Sequence, residues 1–201
     1  MNDRTLEYYD DHAERYVSET ILADMSEVYR SFLLSVKKQG RILDLGCGSG
    51  RDSKYFMERG FQVTAVDGAE NMCKLASRYL GQEVICKRFT EINYSNEFDG
   101  IWCCASLLHI SKCEIQSVLE QLIAALKSGG ILYLSFKYGT KEYMKDGRKF
   151  SDYNEQEMEN IFNTISSAKI EKIFLTGDVR LGRENERWIN VLVEKMEGNE
   201  K

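Results

Sequence analysis

The residues best suited to chemistry are concentrated between positions 42 and 52. The chain there reads Ile42-Leu43-Asp44-Leu45-Gly46-Cys47-Gly48-Ser49-Gly50-Arg51-Asp52. An apolar run passes into three alternating glycines and then into a stretch with helical character. Glycine permits positive φ and leaves the backbone bare, so a ligand can approach the N–H groups of such a turn and the N-terminus of the helix it opens. Asp67 ends a second apolar run 21 residues after Gly46 and is followed by Gly68. A carboxylate at that distance suits hydrogen bonds from both hydroxyls of a ribose. Asp-Gly is also a plain turn signal; the distance from the glycines favours the ligand.

A glycine turn and a distant acid fit a nicotinamide dehydrogenase as well as other nucleoside-binding proteins. Two details separate them. The turn reads G-C-G-S-G, and Arg51 stands where the dinucleotide fingerprint has its third glycine. Asp44 lies two residues before the first glycine, at a strand end expected to face the ligand crevice. A carboxylate there repels a pyrophosphate and attracts a cation, such as a sulfonium bearing an α-amino group.

Other candidates are less specific. His109 follows an apolar pair and is either a histidine packed at a helix start or a proton acceptor in a pocket. Tyr9 and Tyr16 are seven apart and share a face if that stretch is helical. Lys137, Lys141, Lys145, Arg148 and Lys149 form one basic stretch, and Arg180, Arg183 and Arg187 another beside Trp188. A solvated surface is the ordinary reading, but arginines beside an indole also suit a planar anionic ligand through forked hydrogen bonds and stacking. The six cysteines are irregularly spaced, with no Cys-x-x-Cys pair. Reduced thiols are expected, and Cys103, Cys104, His109 and Cys113 lack the spacing of a metal site.

The elements that must position these groups follow from periodicity. Met25, Val28, Tyr29, Phe32 and Val36 recur at helical spacing and stop at Gly40. Strands are expected at 41–45, 61–66, 84–88, 98–104 and 131–136, with helices over 51–58 and 69–79. A further helix begins with a Ser111/Glu114 capping box, shows Ile115, Val118, Leu119, Leu122, Ile123 and Leu126 on one face, and stops at Gly129-Gly130. Met158, Ile161, Phe162 and Ile165 mark a late helix, and strands at 169–176 and 187–194 form a terminal hairpin. Strand and helix thus alternate into a doubly wound, seven-stranded α/β sheet, mostly parallel with an antiparallel C-terminal hairpin and helices on both faces.

Composition sets the outer limits. The chain has 201 residues, 43% hydrophobic and 29% charged, with a net charge of −5 and no proline. One domain over 1–201 is expected, with a helical segment at 1–39, a ligand-binding half at 40–137 and a second half at 138–201. No overall positive field exists to hold a nucleic-acid backbone, and no apolar run approaches the ~20 residues of a membrane span. The opening MNDRTLEYYDDH lacks the pattern of a secretory signal, so a cytoplasmic location is expected.

Asp44-Leu45-Gly46-Cys47-Gly48-Ser49-Gly50 resembles the glycine motif of the class I S-adenosylmethionine-dependent methyltransferases. Val66-Asp67, Phe98-Asp99 leading into Leu107-Leu108-His109, and Leu126-Lys127-Ser128-Gly129-Gly130 are similar to further motifs of that family, with Ser128 in place of the usual proline. The resemblance implies S-adenosylmethionine as cofactor and S-adenosylhomocysteine as product. It implies a cofactor site made by Asp44, Gly46, Cys47, Gly48, Gly50, Asp67, Gly68, Arg88, Phe89, Cys104 and Ala105, with adenine against the Phe89 ring and backbone. Where many relatives carry an aspartate for the adenine amino group, this chain has Arg88-Phe89-Thr90-Glu91. By the same resemblance the N-terminal segment closes over the cofactor as a lid. His109 and Tyr16 are then the candidate catalytic residues, and Tyr9, Lys137, Arg180, Arg183 and Trp188 the candidate acceptor residues. The expected activity is methyl transfer to N, O or S of a small molecule. The alternatives are a tRNA acceptor held by the basic stretch 137–149, or a non-catalytic cofactor-binding sensor or partner protein.

Overall fold

A computed structural model describes residues 3–180, 182, 183 and 185–197. Three short helices open the chain: α1 (Asp3–Asp11), α2 (Ala13–Thr20) and α3 (Ser26–Leu33). The alternating body follows as β1 (Arg41–Leu45), α4 (Arg51–Met57), β2 (Gln62–Asp67), α5 (Glu70–Leu80), β3 (Ile85–Cys86), β4 (Phe98–Cys103), α6 (Ile115–Ala125) and β5 (Leu126–Lys137). The remainder comprises β6 (Glu142–Lys145), β7 (Arg148–Ser151), α7 (Glu155–Phe162), β8 (Ala168–Gly177) and β9 (Arg187–Lys195). Seven strands form one sheet in the order β3-β2-β1-β4-β5-β9-β8, parallel from β3 to β5 and antiparallel at β9 and β8. This is the doubly wound sheet with a terminal antiparallel pair that the periodicity predicts.

The period of two along each strand divides the core. Leu43 and Leu45 of β1, Ile101 and Cys103 of β4, and Leu132, Leu134 and Phe136 of β5 pack on one face with Val118, Leu122 and Ile123 of α6 and Met158 and Phe162 of α7. Their neighbours Ile42, Trp102, Ile131 and Tyr133 point the other way, onto Val28, Tyr29 and Phe32 of α3 and Phe56 of α4. Trp102 and Tyr133 stack with centroids 3.9 Å apart. Among the described residues no helix is long and apolar enough to cross a membrane.

Several boundaries depart from expectation for physical reasons. The Ser111/Glu114 capping box does not form: the Ser111 hydroxyl donates to the Glu114 carboxylate itself, and the Glu114 and Ile115 amides take the Ser111 carbonyl. Helix α6 ends at Ala125 instead of running to Gly129, because Leu126 already pairs with Phe98 of β4. The ammonium of Lys195 satisfies the carbonyls of Ala124 and Leu126 at 3.2 and 2.6 Å. The third strand shrinks to two residues. Within 138–153, where the periodicity predicts no strand or helix, β6 and β7 form a hairpin around Asp146 (φ 50°) and Gly147 (φ 77°), the two positive φ values of a tight primed turn.

Close approach of α3 to the sheet depends on Gly100 of β4. A Cβ there would lie 2.8 Å from Cζ of Phe32 and 3.1 Å from Cγ2 of Val36. Phe32 is fully buried and has nowhere to swing. Gly100→Ala is therefore expected to cost about 1–3 kcal/mol by overpacking. Urea unfolding checks this as a lowered midpoint with an unchanged slope.

Candidate functional site

Strands β1 and β4 lie side by side, but the chain leaves β1 for β2 on one side and β4 for β5 on the other. The turns that follow them diverge and leave a crevice at the carboxyl edge of the sheet, the place where ligands bind in such folds. Two cavities open there. The smaller, about 40 Å³, is bordered by Gly46, Gly48, Asp67, Gly68, Met72, Phe89 and Ser106. The larger, about 940 Å³, lies beneath α1 and α2 and reaches Lys137, Arg180, Arg183 and Trp188. Tyr9, Tyr16, Ala105 and His109 border both.

The smaller cavity is shaped by bare backbone. Gly46 has φ 81°, and a Cβ on it would sit 2.4 Å from Cβ of Ser106. Gly48 has φ 53° and lies under the Tyr16 ring, whose Cε1 a Cβ would approach to 3.2 Å. Asp67 accepts the Gly48 amide on Oδ2 at 2.9 Å and the Ala69 amide on Oδ1 at 3.0 Å. Burial pushes its carboxyl up, and those amides pull it back. As an acceptor-only group at the cavity wall, the carboxylate suits the hydroxyls of a vicinal diol. Among the described residues, Ser106 Oγ is buried with no hydrogen-bond partner. A diol acceptor, an orphaned hydroxyl and a glycine cradle against the Phe89 ring fit a nucleoside. At its present volume the cavity is well below the ~300 Å³ at which small-molecule pockets begin. Helices α1 and α2 stand over it, with Tyr9 and Tyr16 in its wall. Those helices are held by Asp10, which accepts the Asn71 amide at 2.7 Å, and by Thr20, whose carbonyl accepts from Arg51 at 3.3 Å.

His109 is 4% exposed and its ring is fully committed. Nδ1 lies 2.6 Å from the Lys149 carbonyl, which can only accept, so Nδ1 carries the proton. Nε2 is then the acceptor for the Tyr9 hydroxyl at 2.8 Å. Burial lowers the His109 pKa to about 4 and keeps the ring neutral. The Tyr9 oxygen, its proton directed at His109, offers only lone pairs to the cavities.

Asp44 departs from its expected position. It shares the Ile42 face of β1, where Ser53 of α4 donates to its Oδ2 at 2.6 Å, and it borders neither cavity. Burial, reinforced by the nearby Asp52 carboxylate, holds its carboxyl well above the usual range. Burial acts on Asp52 in the same direction, but the Arg51 guanidinium at 2.5 Å and the Tyr29 and Trp102 donors outweigh it and leave that carboxyl low. Cys47, Gly50 and Arg88 also border neither cavity. The Cys47 amide bonds the Val66 carbonyl, Gly50 (φ 80°) opens α4 against Leu80, and the Arg88 amide bonds the Glu91 carboxylate to cap a single helical turn.

The expected acceptor residues do gather at the larger cavity, but as ion pairs. Arg180 is clamped by Asp178 at 2.5 and 2.9 Å, and Asp178 also accepts from the Trp188 indole at 3.1 Å. Lys137 meets Glu186 at 2.7 Å, and Arg183 approaches the same carboxylate at 3.7 Å. Cys104 lines this cavity, and the Ala105 amide donates to Ser135 Oγ at 2.8 Å with Ala105 at φ 51°. Sequence reasoning missed Ser106 and Met72, and Tyr8, His12 and Phe150 of the larger cavity. For Ser106, its place just past the strand end at Cys104-Ala105 was the available signal.

Cradle, acid and switch point together define a nucleoside-binding α/β domain. A methyltransferase-domain family model matches residues 42–130. An uncharacterized methyltransferase of Staphylococcus carnosus is 26% identical over 135 residues, 67% of this chain and 64% of that protein. Malonyl-(acyl-carrier protein) O-methyltransferase of Enterobacter lignolyticus is 31% identical over 102 residues, 49% of this chain and 39% of that one. The chain thus spans less than two thirds of either relative. The solved structure of Burkholderia thailandensis 1,6-didemethyltoxoflavin-N1-methyltransferase, with its named ligand and S-adenosylhomocysteine bound, superposes with a TM-score of 0.75 at 21% identity, covering 96% of this chain and 85% of that one. Residues 42–130 thus match a methyltransferase domain, and the chain shares the fold of S-adenosylmethionine-dependent methyltransferases.

Two pH effects of opposite sign follow. The unfolded His109 binds a proton below about 6.5 and the folded one only below about 4, so its contribution to stability falls as pH drops through that window. Asp44 behaves inversely: its folded carboxyl keeps a proton that the unfolded one has released, so its contribution is lost as pH rises above the ordinary carboxylate range. Urea unfolding at pH 4.5, 6 and 8.5 is expected to show His109→Gln flattening the acid limb and Asp44→Asn flattening the alkaline limb.

Proposed function

We propose that this chain is an enzyme that moves the methyl group of S-adenosylmethionine to N, O or S of a small-molecule acceptor. The observation that carries the reading is the pair of cavities at the switch point, joined at Tyr9, Tyr16, Ala105 and His109. In it, Asp67 accepts the ribose hydroxyls, Phe89 walls the adenine, and the bare backbone at Gly46 and Gly48 lets the cofactor approach. When bound, the cofactor supplies a sulfonium methyl, whose C–S bond breaks toward sulfur as an acceptor lone pair bonds the carbon. Tyr16 presents an aromatic face that favours a nearby cation. Tyr9 takes the proton that an N–H, O–H or S–H acceptor gives up as its own proton passes to His109 Nε2. Covered by α1 and α2, the junction excludes water, and positioning supplies much of the rate.

A small acceptor is supported by the charge pattern. Lys137, Lys149, Arg180 and Arg183 each face an acid of this chain, which leaves little field for a polynucleotide backbone. The named relatives differ in acceptor, malonyl-(acyl-carrier protein) in one and 1,6-didemethyltoxoflavin in another, so the cavity decides more than the likeness.

Thermal unfolding with S-adenosylmethionine, S-adenosylhomocysteine and NAD tests the reading. At 100 times Kd a ligand adds about 2.7 kcal/mol, roughly 5–11 °C in Tm at this size. The first two are expected to shift the wild type and NAD is not, and Asp67→Ala is expected to lose the shift while remaining folded. Folded protein that ignores both sulfur ligands at millimolar concentration overturns the proposal.

A further inference from the structure

Hydrogen-bond polarity at the inner end of the larger cavity is set residue by residue. The Lys149 carbonyl forces the proton onto His109 Nδ1, His109 Nε2 takes the Tyr9 proton, and the Tyr9 oxygen is left as an acceptor. A ligand group against it must be a donor. Arg148, which has only donors, borders the same cavity. Its guanidinium lies 3.8 Å over the Tyr8 ring and 5.7 Å from the Tyr9 ring centroid. Its ion pair with Asp146 is loose at 3.5 Å, it also reaches toward the Tyr9 hydroxyl, and its buried Nε has no hydrogen-bond partner among the described residues. Lys137 and Arg180 on the far wall sit instead at 2.7 and 2.5 Å from their acids. The group against Arg148 must therefore be an acceptor.

The walls are flat. Phe150 stands edge-on to His109 at 5.0 Å, and the indole of Trp188 is pinned by Asp178. We propose that the acceptor is a planar ring presenting an N–H donor beside a carbonyl oxygen, the edge of a lactam or imide, with the N–H on Tyr9 and the carbonyl on Arg148. The inference rests on the methyltransferase reading of this site and names its acceptor class. A lactam edge carries the donor and the acceptor at neighbouring ring positions, whereas an ionised carboxylate carries no donor for Tyr9.

The test is calorimetric titration of the whole chain in the presence of S-adenosylhomocysteine, so that binding is read without turnover. Uracil, xanthine and lumazine offer the proposed edge. Their fully N-methylated counterparts 1,3-dimethyluracil, caffeine and 1,3-dimethyllumazine lack the donor, and 2-hydroxybenzoate offers a donor beside a carboxylate. At least one lactam is expected to bind, with its methylated form weaker by about tenfold or more. Arg148→Met is expected to weaken that lactam by a similar factor, and Tyr9→Phe to abolish the discrimination between N–H and N–CH3. Both variants are first checked for an undiminished thermal shift with S-adenosylhomocysteine. In protein that passes, failure of all three lactams, equal binding of the methylated forms, or preference for 2-hydroxybenzoate overturns the inference while the methyltransferase reading stands. A wild type with no shift removes that reading, and this inference falls with it.

Discussion

A single buried carboxylate, that of Asp52, gathers four elements around the glycine turn. Its Oδ1 accepts from Tyr29 of α3 and from Arg51 at the start of α4, and its Oδ2 accepts from the Trp102 indole of β4. Arg51 in turn reaches the Thr20 carbonyl at the end of α2. Burying this charge is tolerable only because every oxygen is matched by a donor and a guanidinium lies against it; losing one partner of such a group typically costs about 3–5 kcal/mol. The arrangement makes the orientation of α4, and hence of the turn that precedes it, depend on α3 and on the middle of the sheet. Burial raises the carboxyl of Asp44 on the same layer, and the neighbouring Asp52 charge raises it further.

Strand alternation explains which parts of this were legible in the sequence. The order of strands and helices, the antiparallel end and the cradle of Gly46, Gly48, Asp67, Gly68 and Phe89 follow from local patterns, because a buried parallel sheet imposes apolar runs and a ligand turn imposes glycine. Asp44 was misjudged because distance along the chain does not say which face of β1 a residue takes; Leu43 and Leu45 pack with α6, so Asp44 is forced to the α4 side. The early end of α6 was hidden for a related reason. Leu126 fits a helical face by period, but its pairing with Phe98 and the distant Lys195 ammonium stop the helix, and neither is local. The β6–β7 hairpin, by contrast, carried a local signal at Asp146-Gly147 between two short runs.

Charge at the acceptor cavity shows a similar limit. The basic residues near Trp188 read in sequence as an anion site, whereas Asp178 and Glu186 consume most of that charge across a short loop. What survives is orientation: Asp178 fixes the planes of both the guanidinium and the indole, and a rigid flat wall costs less entropy on binding than a mobile one.

Tyr9 and Tyr16 belong to the walls of both cavities, and both sit on the helices that cover them. The two cavities accordingly share one partition instead of having separate walls. On the proposed function, work done in displacing α1 and α2 for one ligand need not be repeated for the other, and thermodynamic linkage makes that saving equal in either order of addition. Residues 3–20, laid over both cavities, then couple cofactor to acceptor.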